Sequence, residues 1–287
     1  SKKGLAAQRE KELEEKLEAY RSSLSEEQLD AMVEKTKALE AYQEAGEDPK
    51  ALECIPMLKR SDIKREAAKI INEELTVDDS LFLYHDVCTN GIGYVDLMFK
   101  TDSIAPEQIP YLGLLKSVLG YVDTENYTYG ELFNEINANT GGINCGVEVF
   151  DRADSTEEFQ AMFSVRGKAL YTKMDFLFKM IGEILNSSKL EDTKRLYEIV
   201  ASVKSRAQVN LTGAGHSTAV LRAAAYSSPM AAFQDEMAGI GYYQFIEKLE
   251  KDFEQRKEET VEELCKLMKK ILRPENFFHQ FKIGRAH

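Results

Sequence analysis

The sequence predicts an α+β fold: an antiparallel sheet with helices layered on one of its faces, preceded by an antiparallel helical hairpin. Three observations carry this. Strand patterns come in pairs joined by loops short enough to require antiparallel return. The order runs strand pair, helices, strand pair, helices, last strand, which suits an α+β layer and not a doubly wound sheet. The first fifty residues carry a helical pattern with no core of their own.

Residues 1–50 contain 13 acidic and 9 basic side chains and only two aromatics, Tyr20 and Tyr42. Leu13, Leu17, Tyr20 and Leu24 recur at helical spacing, as do Leu29, Met32, Thr36, Leu39 and Tyr42. Between them, Ser25 and Gln28 have capping-box spacing, and the second pattern stops at Gly46 before Asp48-Pro49. Two helices with a narrow apolar seam suit packing against a partner surface or, equally, a surface helix pair of the same domain. Residues 1–50 are therefore read as a helical hairpin linker and 51–287 as an α+β domain.

From Cys54 the pattern changes. CIPMLKRSDI holds Pro56 and a Ser61-Asp62 turn and reads as an extended connector. Strands are predicted at 69–75 and 81–87, then a hairpin turn at Thr89-Asn90-Gly91, where Asn and Gly tolerate positive φ. The return strand, 91–101, places Val95, Leu97 and Phe99 on one face. Helices follow at 110–119 and 128–139, the second opened by a Thr128/Glu131 capping box and stopped by Gly141-Gly142. Two alternating strands come next: Ile143, Cys145, Val147 and Val149 share one face, and Phe159, Ala161, Phe163 and Val165 another. Helices are predicted at 173–185, 190–210, 217–226, 230–238 and 243–272, and a closing strand at 277–283.

Composition narrows function. The formal charge is −12, against a nucleic-acid binder with its basic stripe. No apolar run approaches the roughly 18 residues of a membrane span, and the start has no signal-peptide pattern. The four cysteines, Cys54, Cys88, Cys145 and Cys265, lie far apart without a CxxC, as reduced thiols of an intracellular compartment would. The expected location is the cytoplasm, with an organelle matrix as the other option.

Only four histidines are present. His85, His216 and His279 lack HExxH or HxxEH partners, and Glu275 and His279 lie where a helix gives way to a strand. Gly213-Ala214-Gly215-His216-Ser217 is glycine-rich, but follows a helix and lacks a Walker Lys-Ser/Thr pair. It reads as a helix–helix corner with Ser217 as N-cap and His216 hydrogen-bonded within it. His85 and Cys88 are three apart on one predicted strand and so point to opposite faces. Ser227-Ser228 has no nucleophile elbow. The aromatic set Tyr226, Phe233, Tyr242, Tyr243 and Phe245, with Met230 and Met237, reads as core between helices or as an apolar peptide pocket. No active site emerges.

Several stretches are recognisable together. SLSEEQLDAMVEKTKALEAYQEAGEDPKALECIPMLKRSDIKREA resembles the linker segment of presequence-protease-like peptidases, a branch of the insulinase/pitrilysin zinc metallopeptidases. TNGIGYVDLMF, YTYGELFNEINANTGGINCGVEVF and GAGHSTAVLRAAAYSSPMAAFQDEMAGIGYYQFI resemble the third domain of the same proteins. The resemblance runs from about Leu5 to Ile283. It implies four similar α+β domains in two halves closing around a chamber, with residues 5–45 as the hairpin linking the halves and 54–283 as the first domain of the second half.

The departures from the family matter as much. The resemblance places HxxEH and a distal Glu in a first domain that this chain lacks, and a substrate-positioning Arg and Tyr in a fourth. The corresponding helix here reads PYLGLLKSVL, without His or Glu. The expectation is a non-catalytic part of an intracellular zinc oligopeptidase, unable to hydrolyse peptides alone. It holds no cofactor, with zinc in the parent's absent catalytic domain. Its partners are the other domains of the parent and peptide substrates, with neither nucleic acid nor membrane. The absent initiator Met and the GRAH ending are read as marks of an excised piece with cloning residues. The expected peptide-contacting strand is Ile143, Asn144, Cys145, Gly146, Val147 and Glu148, by strand addition to a sheet edge. The alternative is a stand-alone adaptor or scaffold recruiting a partner through the helical hairpin.

Overall fold

The structure, a computed structural model, describes residues 4–46, 49–66, 69, 72–77, 80–152 and 154–283. The chain forms two compact units, Ser1–Ala68 and Lys69–His287. The sequence division at 50/51 would separate the CIPMLKRSDI connector from the helices; by compactness it goes with them.

In the first unit, helix α1 spans Leu5–Ser23, α2 spans Glu26–Glu44 and a single turn, α3, spans Pro49–Leu52. The Ser25 capping box starts α2: Ser25 Oγ accepts from the Gln28 amide at 3.2 Å, and Gln28 Oε1 accepts from the Ser25 amide at 2.9 Å. Most of the anticipated seam residues stay open, with Leu13 and Leu17 each 57% exposed and Leu39 54%, while Leu24 and Leu29 are half-buried. The connector is irregular from Pro56 to Lys59 and then makes a short turn at Arg60–Asp62, held by Lys59 N donating to Asp62 Oδ2 at 2.8 Å.

The second unit is α+β. Its strands are β1 (Glu73–Val77), β2 (Ser80–His85), β3 (Ile92–Lys100), β4 (Ile143–Arg152), β5 (Ser155–Leu170) and β6 (Phe277–Ile283), in one sheet of order β1-β2-β6-β3-β5-β4. Four of the five pairings are antiparallel; β2 and β6 run parallel. The first predicted strand begins at Glu73, and residues 70 and 71 of that prediction lie outside the described residues.

The turn at Asn90-Gly91 forms as expected, with φ of 52° and 81° and Ile92 N donating to Thr89 O at 3.2 Å. The strands flanking it do not pair. β6 inserts between β2 and β3, which the extra residues Asp86, Val87 and Cys88 allow, since a two-residue hairpin loop could not bridge an intervening strand.

Helices α4 (Ile109–Val118), α5 (Tyr129–Asn139), α6 (Met174–Ser187), α7 (Thr193–Gly213), α8 (Gly215–Ala224), α9 (Pro229–Ala238), α10 (Ile240–Lys251) and α11 (Phe253–Ile271) complete the unit. The core joins one sheet face (Val95, Leu97, Phe99, Phe163, Val165) to the apolar sides of these helices. α4 is buried nearly all round because it is apolar all round, and it packs against α9, α11 and β4. The approach is close enough that a Cβ on Gly113 would lie 2.6 Å from Met237 O and 2.8 Å from the Tyr242 ring.

Two helical expectations change. The long predicted helix over 243–272 is α10 and α11, broken at Asp252 (φ −101°, ψ 18°). Tyr242, Ile246, Leu249 and Phe253 keep helical spacing through the break, because periodicity reports which face is buried and not whether the axis is straight. At 213–217, α8 already begins at Gly215, so Ser217 is inside it and Ala214 is the N-cap. His216 is exposed, and the corner is tied instead by Thr218 Oγ1 donating to Ala214 O at 3.1 Å.

Candidate functional site

β4 is an edge strand: among the described residues it pairs with β5 and with nothing on its other side. An edge presents a row of backbone donors and acceptors to whatever extended chain comes near. Local sequence makes it so. The Thr128/Glu131 box starts α5, with Glu131 N donating to Thr128 Oγ1 at 3.3 Å and Thr128 N to Glu131 Oε2 at 2.9 Å. Gly142, at φ 104°, then turns the chain out of α5 into β4.

The six residues expected to contact peptide are all on this strand. Ile143, Cys145 and Val147 pair with Gly167, Val165 and Phe163 and face the core; Asn144, Gly146 and Glu148 pair with Arg166, Ser164 and Met162 on the opposite face of the sheet. On that opposite face Arg166 links three strands: Nε lies 2.6 Å from Asp96 Oδ2 on β3, and Nη1 3.1 Å from Glu148 Oε1 on β4. The ionic row opposes a register slip, which would move every β4 side chain to the other face.

All six residues also line a groove of about 460 Å³. Its far wall comes from Lys116 of α4, Leu119 and Tyr121 just beyond it, Phe133 and Ile136 of α5, and Arg206 of α7. A second cavity of about 260 Å³ shares Ser117 and Arg206 with the groove and is closed by Asn210, Thr218 and Tyr242.

Burial shapes the ionisable groups here. Burial pushes the Lys116 ammonium below its usual range, and the Glu148 carboxylate only partly offsets this. Cys145 is half-buried, and burial pushes its thiol up to about 12, which keeps it protonated at neutral pH. Burial likewise raises the Tyr242 phenol, against smaller opposing effects of Ser117 and Arg206.

Among the described residues no three His, Cys, Asp or Glu side chains stand together so as to hold a metal. Among the described histidines, His85 is buried at the end of β2, while His216 is exposed on α8. Cys88 lies beyond the end of β2, in the turn, where its Sγ is 3.6 Å from Asn90 Oδ1. Of the aromatic set, Phe233 and Tyr242 are buried with Met237, whereas Tyr226 is 83% exposed beside Arg222. Sequence reading did not find Lys116, Ser117 and Arg206. They come from two helices distant in sequence, and no spacing signal links them.

No helix among the described residues is long and apolar enough to cross a membrane. A mainly antiparallel sheet with a helical layer and an edge strand defines an α+β module. The chain belongs to the family described as peptidase M16 (subfamily C) associated, whose model matches residues 1–249. It is 34% identical over 270 residues to Protein HypA of Clostridium perfringens, covering 94% of this chain and 27% of that protein. It is 28% identical to Presequence protease 1, chloroplastic/mitochondrial, of Arabidopsis thaliana, over 92% of this chain and 24% of the relative. A mitochondrial presequence protease of Yarrowia lipolytica is also 28% identical, over 90% and 26%. The chain thus spans about a quarter of the curated relatives it matches. A crystal structure of a conserved protein from Enterococcus faecalis V583 shares the fold, with TM-score 0.53, 13% identity, and coverage of 75% of this chain and 48% of that one.

Proposed function

We propose that this chain is the non-catalytic part of a presequence-protease-type zinc peptidase, forming a wall of the peptide-enclosing chamber and part of its hinge. Chemistry belongs to a zinc site elsewhere in the parent. The observation that carries the reading is the unpaired β4 edge with a groove along it, a surface that accepts extended peptides of many sequences through backbone hydrogen bonds. Ile143, Asn144, Cys145, Gly146, Val147 and Glu148 supply that edge. The helices α1 and α2, with Leu13, Leu17 and Leu39 exposed, suit contact with other domains of the parent. The presequence-protease relatives, named as mitochondrial or chloroplastic, support peptides as substrates and an organelle matrix as the working compartment.

The test is a titration of the full chain with an extended fluorescent peptide and its backbone N-methylated versions. N-methylation at alternate positions should abolish binding, and the peptide should slow amide exchange in β4. Binding indifferent to N-methylation, or no protection of β4, would sink the reading.

A further inference from the structure

Lys116 and Arg206 are the two cations that line the β4 groove. Arg152, Arg166, Arg195, Arg222 and Arg256 all sit in ion pairs with carboxylates, whereas Lys116 and Arg206 have no such pair among the described residues. The one acid near Lys116 in that groove, Glu148, is already 3.1 Å from Arg166. Burial therefore desolvates the Lys116 cation without supplying a counter-charge of its own.

Behind this pair is the smaller cavity. Tyr242 is 5% exposed, and its hydroxyl meets no hydrogen-bond partner in acceptable geometry, although Ser117 lies near it. A buried hydroxyl without a partner costs free energy that a bound acceptor would recover. Ser117, Arg206 and Asn210 supply further donors around the same space, with Val203 and Leu211 as apolar walls. Two unpaired cations and an unsatisfied phenol make a site for a group that is anionic, rich in acceptors and small.

We infer that the Lys116–Arg206 corner and the Tyr242 cavity together bind the C-terminal carboxylate of an extended peptide whose backbone lies along β4. The inference rests on the reading of β4 as a peptide-binding edge. A chain terminus suits the geometry because the cavity branches from the groove, and a terminal carboxylate needs no path onward. The carboxylate accepts from Arg206 and the Tyr242 hydroxyl, while Lys116 neutralises it from the groove side. The peptide's last side chain meets Val203 and Leu211.

The test uses the full chain and three fluorescein-labelled octapeptides: one with a free C-terminus, one amidated, and one amidated with an internal glutamate. Fluorescence anisotropy should show the free acid binding at least about tenfold more tightly than its amide, the worth of a charge-assisted contact. Arg206→Gln and Tyr242→Phe should each shrink that difference towards unity. Arg206 is exposed and phenylalanine preserves the Tyr242 ring, so both variants should fold, which circular dichroism verifies. Equal affinity of acid and amide would overturn the inference while leaving the strand-addition reading intact if N-methylation still abolishes binding. Recovery of tight binding by the internal glutamate would overturn it in favour of an acidic side chain. Failure of every peptide to bind would remove both readings.

Discussion

Asp235 on α9 is 1% exposed and meets Arg222 of α8 at 2.5 Å, Oδ2 to Nη1. The same carboxylate accepts from the amides of Ile240 at 3.0 Å and Gly241 at 3.1 Å, so it caps α10 while tying α8 to α9. The stretch QDEMAGIGYYQF thereby makes structural sense: the glycines leave room for the carboxylate, since a Cβ on Gly239 would run into Asp235 Oδ1. Asp235→Ala should lower stability by about 3 kcal/mol, the scale of two or three charge-assisted hydrogen bonds. Arg222→Ala should cost less, because the amide contacts remain. Urea midpoints of the two variants check the order.

Gly113→Ala should destabilise by about 1–3 kcal/mol, because the added methyl meets the Met237 carbonyl oxygen and the Tyr242 ring at distances that force α4 away from its neighbours. Gly130→Ala in α5 has open space around it and should instead stabilise by up to about 1 kcal/mol through helix propensity. Thermal unfolding of the pair separates sterics from propensity; equal effects would contradict the close packing.

Glu183 should contribute to acid sensitivity. Its carboxyl is held below the usual range by hydrogen bonds from the Thr124 hydroxyl and from Asn126, against a smaller effect of burial. A depressed folded-state pKa contributes stability fully above the unfolded value, about 4.3, and loses it as pH falls through the folded value. Glu183→Gln should be less stable than the parent at pH 7, and the gap should narrow below about pH 4. Urea titrations at both pH values measure it; a gap that widens in acid would reverse the assignment.

Cysteine labelling should divide by environment. Cys54 and Cys88 are exposed, whereas the Cys145 thiol is pushed up to about 12 by burial. At pH 8 iodoacetamide should modify Cys54 and Cys88 first and leave Cys145 until denaturant is added, as read by peptide mass spectrometry. Fast modification of Cys145 in the folded chain would show that β4 opens.

Helices α1 and α2 should exchange amide protons far faster than α6. Each is 19 residues long, and α2 has no buried residue, while α6 buries Leu177, Met180, Ile181 and Ile184. Helices without a packed face are marginal in water. Protection across α2 equal to that of α6 in the isolated chain would count against this.

Much of the local structure in both units was legible because its signals are local. The Ser25 and Thr128 capping boxes, the Asn90-Gly91 turn and the alternation in β3, β4 and β5 depend on neighbours within a few residues. The closing strand also matched its prediction, at Phe277–Ile283. Its partner was not legible: nothing in FFHQFKI says that it runs parallel to β2 and antiparallel to β3.

The sequence by itself determined the fold class, the family likeness and the candidate strand from Ile143 to Glu148, because periodicity, caps and turn residues are written in short windows. Tertiary structure decided that this strand is an edge, that β6 separates β2 from β3, and that Ser117 and Arg206 join the groove lined by Lys116 to the cavity lined by Tyr242. Those facts depend on pairing and packing between segments distant in the chain. Their energies come from burial and hydrogen bonding across the fold, which no local window contains.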